Sequence, residues 1–331
     1  MNKATLLASG PVLAFAVLCG YFVPRATTQT TTAAQTRAVV TATTTFLNSL
    51  DATQRQKVQF PFTPQKTATA ARFARAGRGG GPGANPGGGV RPGGDGPDTR
   101  SATPGGQFGR GPDDGGPRRG RGGGPGRDLG GGFVGEQYGQ AVWSNFPVSD
   151  VPRPGLTLGS LSSAQRGAAM HLLQVGLSSK GYRKVLDIMG SDQALADAGT
   201  PFSSGTAYYT IGIFGTPSAT TPWMLEFGGH HLGLNITLAG EHGVMTPTLT
   251  GAQPAVYTSN GKAVRALADE SDKAFALLNA LDASQRKQAI LNYHVDNLVL
   301  GPGHAGEMIQ PEGLKASALN EQQRAMLLDL I

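Results

Sequence analysis

The chain has 331 residues, a formal net charge of +6, fifty glycines, twenty-two prolines and a single cysteine, Cys19. One thiol excludes a disulfide scaffold and cysteine-built zinc, iron–sulfur or blue-copper centres, so any metal would rest on His, Asp, Glu or water. Roughly half of the glycines fall in one arginine-containing stretch, residues 77–132, which contributes much of the sequence pI near 9.5, so the positive charge says little about the folded part.

The chain opens Met1, Asn2, Lys3, followed by an apolar run from Leu6 to Val23 that Gly10 and Pro11 interrupt. A basic start before an apolar core predicts export. Residues 1–34 are then either a cleaved signal peptide, with small residues Thr32, Ala33 and Ala34 at the cut, or an N-terminal anchor held through residues 6–23. Both readings place the bulk of the protein outside the cytoplasm, periplasmic or secreted. An uncleaved leader would be its one membrane contact.

Residues 35–76 read as the N-terminal helical part of a globular domain, with helices over 36–49 and 52–60. Residues 77–132 hold almost no large apolar side chain, cannot offset their ordering entropy by burial, and are expected to be disordered. Glycine–arginine tracts can track single-stranded nucleic acid, but this one has few aromatics beyond Phe108 and interspersed aspartates, so nucleic acid is not the expected partner. Residues 133–331 read as the main part of the same domain.

Four segments share the pattern Leu, a small polar residue, two variable residues, then Gln-Arg: Leu50 to Arg55, Leu161 to Arg166, Leu281 to Arg286 and Leu319 to Arg324. Each sets a capping residue (Asp51, Ser162, Asp282, Asn320) three positions before a glutamine, the spacing of a capping box at a helix start. Their unequal separations exclude a solenoid. With these starts, helices are expected over 162–178, 180–189, 191–198, 262–279, 283–293 and 320–330, and strands over 207–214, 222–227, 230–238 and 243–250. Strands grouped mid-chain between helical runs predict an α+β fold with an antiparallel sheet.

The segment 223–238, WMLEFGGHHLGLNITL, alternates apolar and polar residues on both sides of Gly228 and Gly229. A Gly-Gly connection between alternating runs predicts a hairpin turning at 228–229. Trp223, Leu225, Phe227, Leu232, Leu234, Ile236 and Leu238 then share one face with His230, while Glu226, His231, Asn235, Thr237 and Met224 share the other. In that register Glu226 pairs directly with His231, about 5 Å apart at Cβ, where a carboxylate can fix an imidazole tautomer or join it on a metal. His230, His231 and Glu226 are therefore the candidate metal ligands, for one divalent transition metal, with Asn235 and Thr237 as supporting groups. A structural reading stands beside this one, since His–Glu pairs and core histidines are common without function.

Of the other histidines, His171 sits among Met170, Leu172 and Leu173 as a core or boundary residue, and His242 beside Glu241 at a loop tip. His294 and Asp296 follow a helix end, and His304 precedes Glu307 in a glycine-rich turn. The chain shows no GxSxG elbow, HExxH helix, phosphate-binding loop or dinucleotide fingerprint, so no nucleotide cofactor is expected.

The segment GGHHLGLN resembles the signature of the domain of unknown function 3500 (DUF3500) family. FLNSLDATQRQKVQFPF at 46–62, WSNFP at 143–147, GLTLGSLSSAQRGAAMHLL at 155–173, YYTIGIFGTPS at 208–218, TPTLTGAQPA at 246–255 and LLNALDASQRKQAIL at 277–291 are similar to it in the same order. The resemblance implies no assigned activity and no catalytic residues. Where the family often has a Trp-His pair, this chain has Trp143, Ser144 and Asn145. Two classes of function follow: an extracytoplasmic metal-dependent hydrolase or oxidoreductase with a His-His centre, or a non-catalytic binding or assembly protein with a structural histidine-rich hairpin.

Overall fold

A computed structural model describes residues 32–71, 135–202, 204–293 and 308–331. The expected leader, the glycine-rich tract, Cys19, His294, Asp296, His304 and Glu307 lie outside the described residues. Helices α1 (Thr32–Asn48) and α2 (Ala52–Val58) lead into the short strand β1 (Gln59–Phe60). After β2 (Thr69–Ala70), β3 (Glu136–Tyr138), β4 (Ala141–Trp143) and β5 (Leu156–Thr157) come α3 (Ser163–Gly176) and α4 (Ser179–Asp197). Strands β6 (Thr210–Phe214), β7 (Trp223–Gly229), β8 (Leu232–Ala239) and β9 (His242–Thr250) follow, then a small hairpin of β10 (Tyr257–Ser259) and β11 (Lys262–Val264). The described chain closes with α5 (Ala268–Ala280), α6 (Ala283–Ala289) and α7 (Glu321–Leu330).

The main sheet runs β1-β6-β7-β8-β9, with β5 also against β6, and β2-β3-β4 form a separate three-stranded sheet. All pairings are antiparallel except β1 with β6. The fold is α+β, with the strands mid-chain and helices before and after them. Ile211, Ile213, Leu225, Phe227, Leu232 and Leu234 form the sheet's apolar face and join Val39, Phe46, Leu172, Leu173, Val185 and Ile188 of α1, α3 and α4 in one core. Each such fully buried side chain contributes on the order of 1.5–3 kcal/mol.

All four capping boxes form, each with the cap side chain on the backbone of the third helical residue and that residue's glutamine returning to the cap's N–H. Other expectations need correction. The helices expected over 180–189 and 191–198 are one helix, α4, whose Gly190 leaves room for the Tyr257 ring. Residues 262–264, expected in a helix, pair instead across Asn260 and Gly261, whose φ of 49° and 72° are those of a primed turn. The helix expected over 52–60 stops at Val58 because Gln59 and Phe60 pair with Ile213 and Phe214.

The central hairpin does not turn at Gly228–Gly229. Both glycines belong to β7, opposite Gly233 and Leu232, and the turn is His230–His231. Glu226 consequently faces Asn235, and the expected Glu226–His231 pairing is absent. The displacement is two residues on each strand, an even number, so the paired residues keep their faces, whereas His230 and His231, expected on opposite faces, leave the strands and stack on each other in the turn. Gly229 is needed for approach: a Cβ there would lie 2.8 Å from Cγ and Cδ1 of Tyr209. Gly229→Ala should destabilise the protein by about 1–3 kcal/mol through this overpacking. Urea unfolding checks it, an unchanged midpoint meaning that Tyr209 does not press on the strand.

Candidate functional site

His231 has φ of +62°, a conformation costly for a side chain with a Cβ, on the order of 1–3 kcal/mol, that persists only where the surroundings enforce it. The backbone around it is tied on every side. The His231 N–H donates to the Asn145 carbonyl at 3.0 Å, and the His231 carbonyl accepts the Gly251 N–H at 2.7 Å. The Tyr209 hydroxyl donates to the His230 carbonyl at 2.9 Å, and Arg153 Nη2 to the Gly229 carbonyl at 3.1 Å.

The imidazoles are held as firmly. His230 is buried, and its Nδ1 lies 2.8 Å from Oδ1 of Asp192 on α4. The other oxygen of Asp192 accepts the Gly205 N–H at 2.8 Å, so the carboxylate is an acceptor on both sides and Nδ1 of His230 carries the proton. Phe202 packs edge-on at 5.3 Å. His231 is half-buried: its Nδ1 is 2.6 Å from Oδ1 of Asn145, and its Nε2 is 3.0 Å from the Gln253 amide. The two rings stack at 3.8 Å, with 30° between their planes. Burial first, and the neighbouring His230 second, hold the His231 pKa below its ordinary value. A neutral ring has one donor and one acceptor nitrogen, so one of the two amides accepts the ring N–H through its oxygen and the other turns its NH2 to the remaining nitrogen.

Glu226 lies on the opposite face of the sheet, away from this tip. Val142, Trp143 and Arg153 close over it, leaving no void large enough for water. Its carboxyl oxygens complete no hydrogen bond of full geometry, although the Val142 N–H and the Arg153 guanidinium lie near. Complete burial pushes its pKa well above the usual carboxyl range, against the opposing pull of Arg153 and Val142. Arg153 donates through Nη1 to Val151 and through Nη2 to Ser144, Phe146 and Gly229 carbonyls, and burial lowers its pKa to about 10. Asn235, across from Glu226, donates to the Pro247 carbonyl at 2.8 Å, and Thr237 is half-buried farther along the same face.

The expected site residues are thus divided. His230 and His231 meet at the turn, while Glu226, Asn235 and Thr237 share the other face. Among the described residues, no three His, Cys, Asp or Glu side chains converge as metal ligands. His171 is exposed, where sequence reading placed it in a core or at its boundary, and His242 is exposed at the start of β9. The groups that complete the turn, Asn145, Arg153, Asp192, Tyr209 and Gln253, escaped sequence reasoning. Asn145, Tyr209 and Gln253 stand in the segments WSNFP, YYTIGIFGTPS and TPTLTGAQPA that resemble the family, but nothing in those segments marked them as partners of the histidines.

A family described as "Protein of unknown function (DUF3500)" matches residues 134–331. No curated protein and no solved structure matches the chain.

Two titrations follow. A depressed His231 pKa means that the unfolded chain takes up the proton first, so the stability tied to the neutral ring is complete above about pH 6.5 and is lost as pH falls through the folded value. Wild type should therefore lose stability relative to His231→Asn between about pH 7 and pH 5, whereas parallel pH curves would contradict the neutral ring. Glu226 behaves oppositely, because a raised folded pKa makes the native state favour the proton and costs stability as pH rises above 4.5. Glu226→Gln should melt above wild type at neutral pH by about 2–6 °C and converge with it near pH 4. A variant less stable at neutral pH would show the carboxylate to be ionised and paired.

Proposed function

The chain belongs to the DUF3500 family, and within it we propose that this member is a non-catalytic binding or assembly protein working outside the cytoplasm, its histidine turn a structural knot. The observation that carries this reading is the commitment of His230 Nδ1, His231 Nδ1 and His231 Nε2 to Asp192, Asn145 and Gln253 within one tip. A divalent metal at His231 would have to displace Asn145 or Gln253, and its second ligand would have to come from a ring stacked face to face with the first. Stacked imidazoles direct their nitrogen lone pairs in nearly parallel planes, away from a common point. The extracytoplasmic placement rests on the basic start and the apolar run of residues 6–23.

An enzymatic reading has one specific support, the Asp192–His230 pair, since a carboxylate on Nδ1 orients an imidazole for base catalysis. The burial of His230 at 6% exposure weighs against it, because a substrate would have to reach past Phe202.

Elemental analysis of tag-free protein after metal-replete expression, paired with melts of His231→Ala, separates the classes. The expected result is metal far below one atom per chain and a stability loss of about 1–3 kcal/mol in the variant, from the stranded Asn145 side chain and the lost packing on His230. Stoichiometric copper, zinc, iron or manganese that disappears in His231→Ala would establish the metal centre instead.

A further inference from the structure

The four capping boxes are two copies of one device. In the first, the glutamines of α2 and α3 grip each other: Gln165 donates to Gln54 at 2.8 Å and to the Ser49 carbonyl at 2.9 Å. In the second, Gln323 of α7 donates to Gln285 of α6 at 2.8 Å and to the Ala280 carbonyl at 2.8 Å. Ser49 and Ala280 stand at the same place, two residues before their caps. A single 3-10 turn precedes the second helix of each copy, at Leu158–Ser160 and Ala316–Ala318. The residue that ends α2 or α6 is extended in both, Gln59 at φ −108° and ψ 123°, Ile290 at φ −89° and ψ 112°.

What differs is the cover. In the first copy Phe46, Val58 and Leu172 are fully buried against the sheet, and Gln59–Phe60 pair with β6, closed by the Gly215 N–H on the Phe60 carbonyl at 2.7 Å. At the corresponding positions the second copy keeps apolar residues, Leu277, Ala289 and Leu330, yet these are only half-buried. Ile290 and Leu291, in the place of β1, are 55% and 37% exposed, and among the described residues no strand pairs with them. Exposed ion pairs, Lys180–Asp269 and Lys184–Glu270, join α5 to α4, so this attachment does not use the apolar face.

We propose that α5, α6 and α7 form a second strand-docking module, whose ligand is an extended apolar segment of another polypeptide laid beside Ile290–Leu291 in the place β6 holds in the first copy. The first copy names the chemistry of the occupant: a β-branched and aromatic strand that supplies backbone hydrogen bonds to the residues after α6 and apolar side chains to Leu277 and Leu330. This chain's own β6 is engaged, with β1 and β5 on one edge and β7 on the other, so β6 itself does not fill the second copy, and that place is assigned to a partner's segment. The inference rests on the reading of the chain as a binding protein and gives that reading its surface.

The probe is a fluorescein-labelled peptide of residues 208–217, YYTIGIFGTP, with a scrambled peptide as control. Full-length protein should raise its anisotropy saturably, and Leu277→Glu and Leu330→Glu should each weaken binding at least about tenfold, since a charge enters the apolar face. Hydrogen exchange at the Ile290 and Leu291 amides should slow when the peptide is present. His231→Asn, a change outside α5, α6 and α7, should bind as wild type, so that failure of the peptide and failure of the histidine-knot reading register separately. No saturable binding, or binding that both Glu variants retain, overturns the proposal. So does a protein that sediments as a dimer and becomes monomeric in Leu330→Glu, because the occupant is then a second copy of the chain.

Discussion

The tip of the β7–β8 hairpin is buried at His230 and half-buried at His231, and polar groups withdrawn from water must find internal partners. A satisfied hydrogen bond contributes only about 0.5–1.5 kcal/mol net, while an orphaned buried group costs about 1–3 kcal/mol, so the constraint acts mainly through what cannot be left unpaired. Five separate stretches meet it: Asn145 after β4, Arg153 before β5, Asp192 in α4, Tyr209 just ahead of β6, and Gly251 with Gln253 after β9. Helix layer, small sheet and main sheet are thereby pinned to one point. The left-handed φ of His231 is the local cost of this arrangement, and the bonds to Asn145 and Gly251 on either side of that residue hold it there.

The two faces of the same hairpin solve different problems. One is apolar and packs on α1, α3 and α4 by ordinary side-chain burial. The other carries Glu226 beneath Val142, Trp143 and Arg153, where a buried guanidinium spends its donors on main-chain carbonyls rather than on the carboxyl. Arg153 thus links the two sites: its Nη2 reaches the hairpin tip at Gly229, and its charge is felt by Glu226. A dry carboxyl without a full hydrogen bond favours its neutral form, which makes it a poor metal ligand.

How much of this was legible in the sequence depended on the range of each interaction. The capping boxes act over three residues and could be read outright, as could the division of the paired strand residues into faces, which depends only on the period of two; His230 and His231, assigned to opposite faces, escaped it because they form the turn. The turn position was misread because Gly-Gly served close packing instead of positive φ: a Cβ at Gly228 would stand 2.5 Å from the Leu232 carbonyl oxygen, and one at Gly229 would strike Tyr209. The Asn260–Gly261 hairpin carried a strong local signal that the neighbouring helical pattern obscured. Asp192 had no such signal, since nothing in a helix 38 residues away from His230 marks one carboxylate as its partner. The capping motifs likewise announced four helix starts but not that they clasp in two pairs, because the Gln54–Gln165 contact spans 111 residues.

The central claim, that the histidine turn is a closed hydrogen-bonded knot, is tested most directly by nitrogen-15 NMR of the imidazole rings in uniformly labelled protein, recorded at neutral pH with and without added zinc. The account predicts that His230 carries its proton on Nδ1 beside Asp192 and that His231 is neutral with one proton, the ring shifts of both unmoved by the metal. Zinc-induced shifts at both rings, or a His231 ring protonated on both nitrogens at neutral pH, would contradict it.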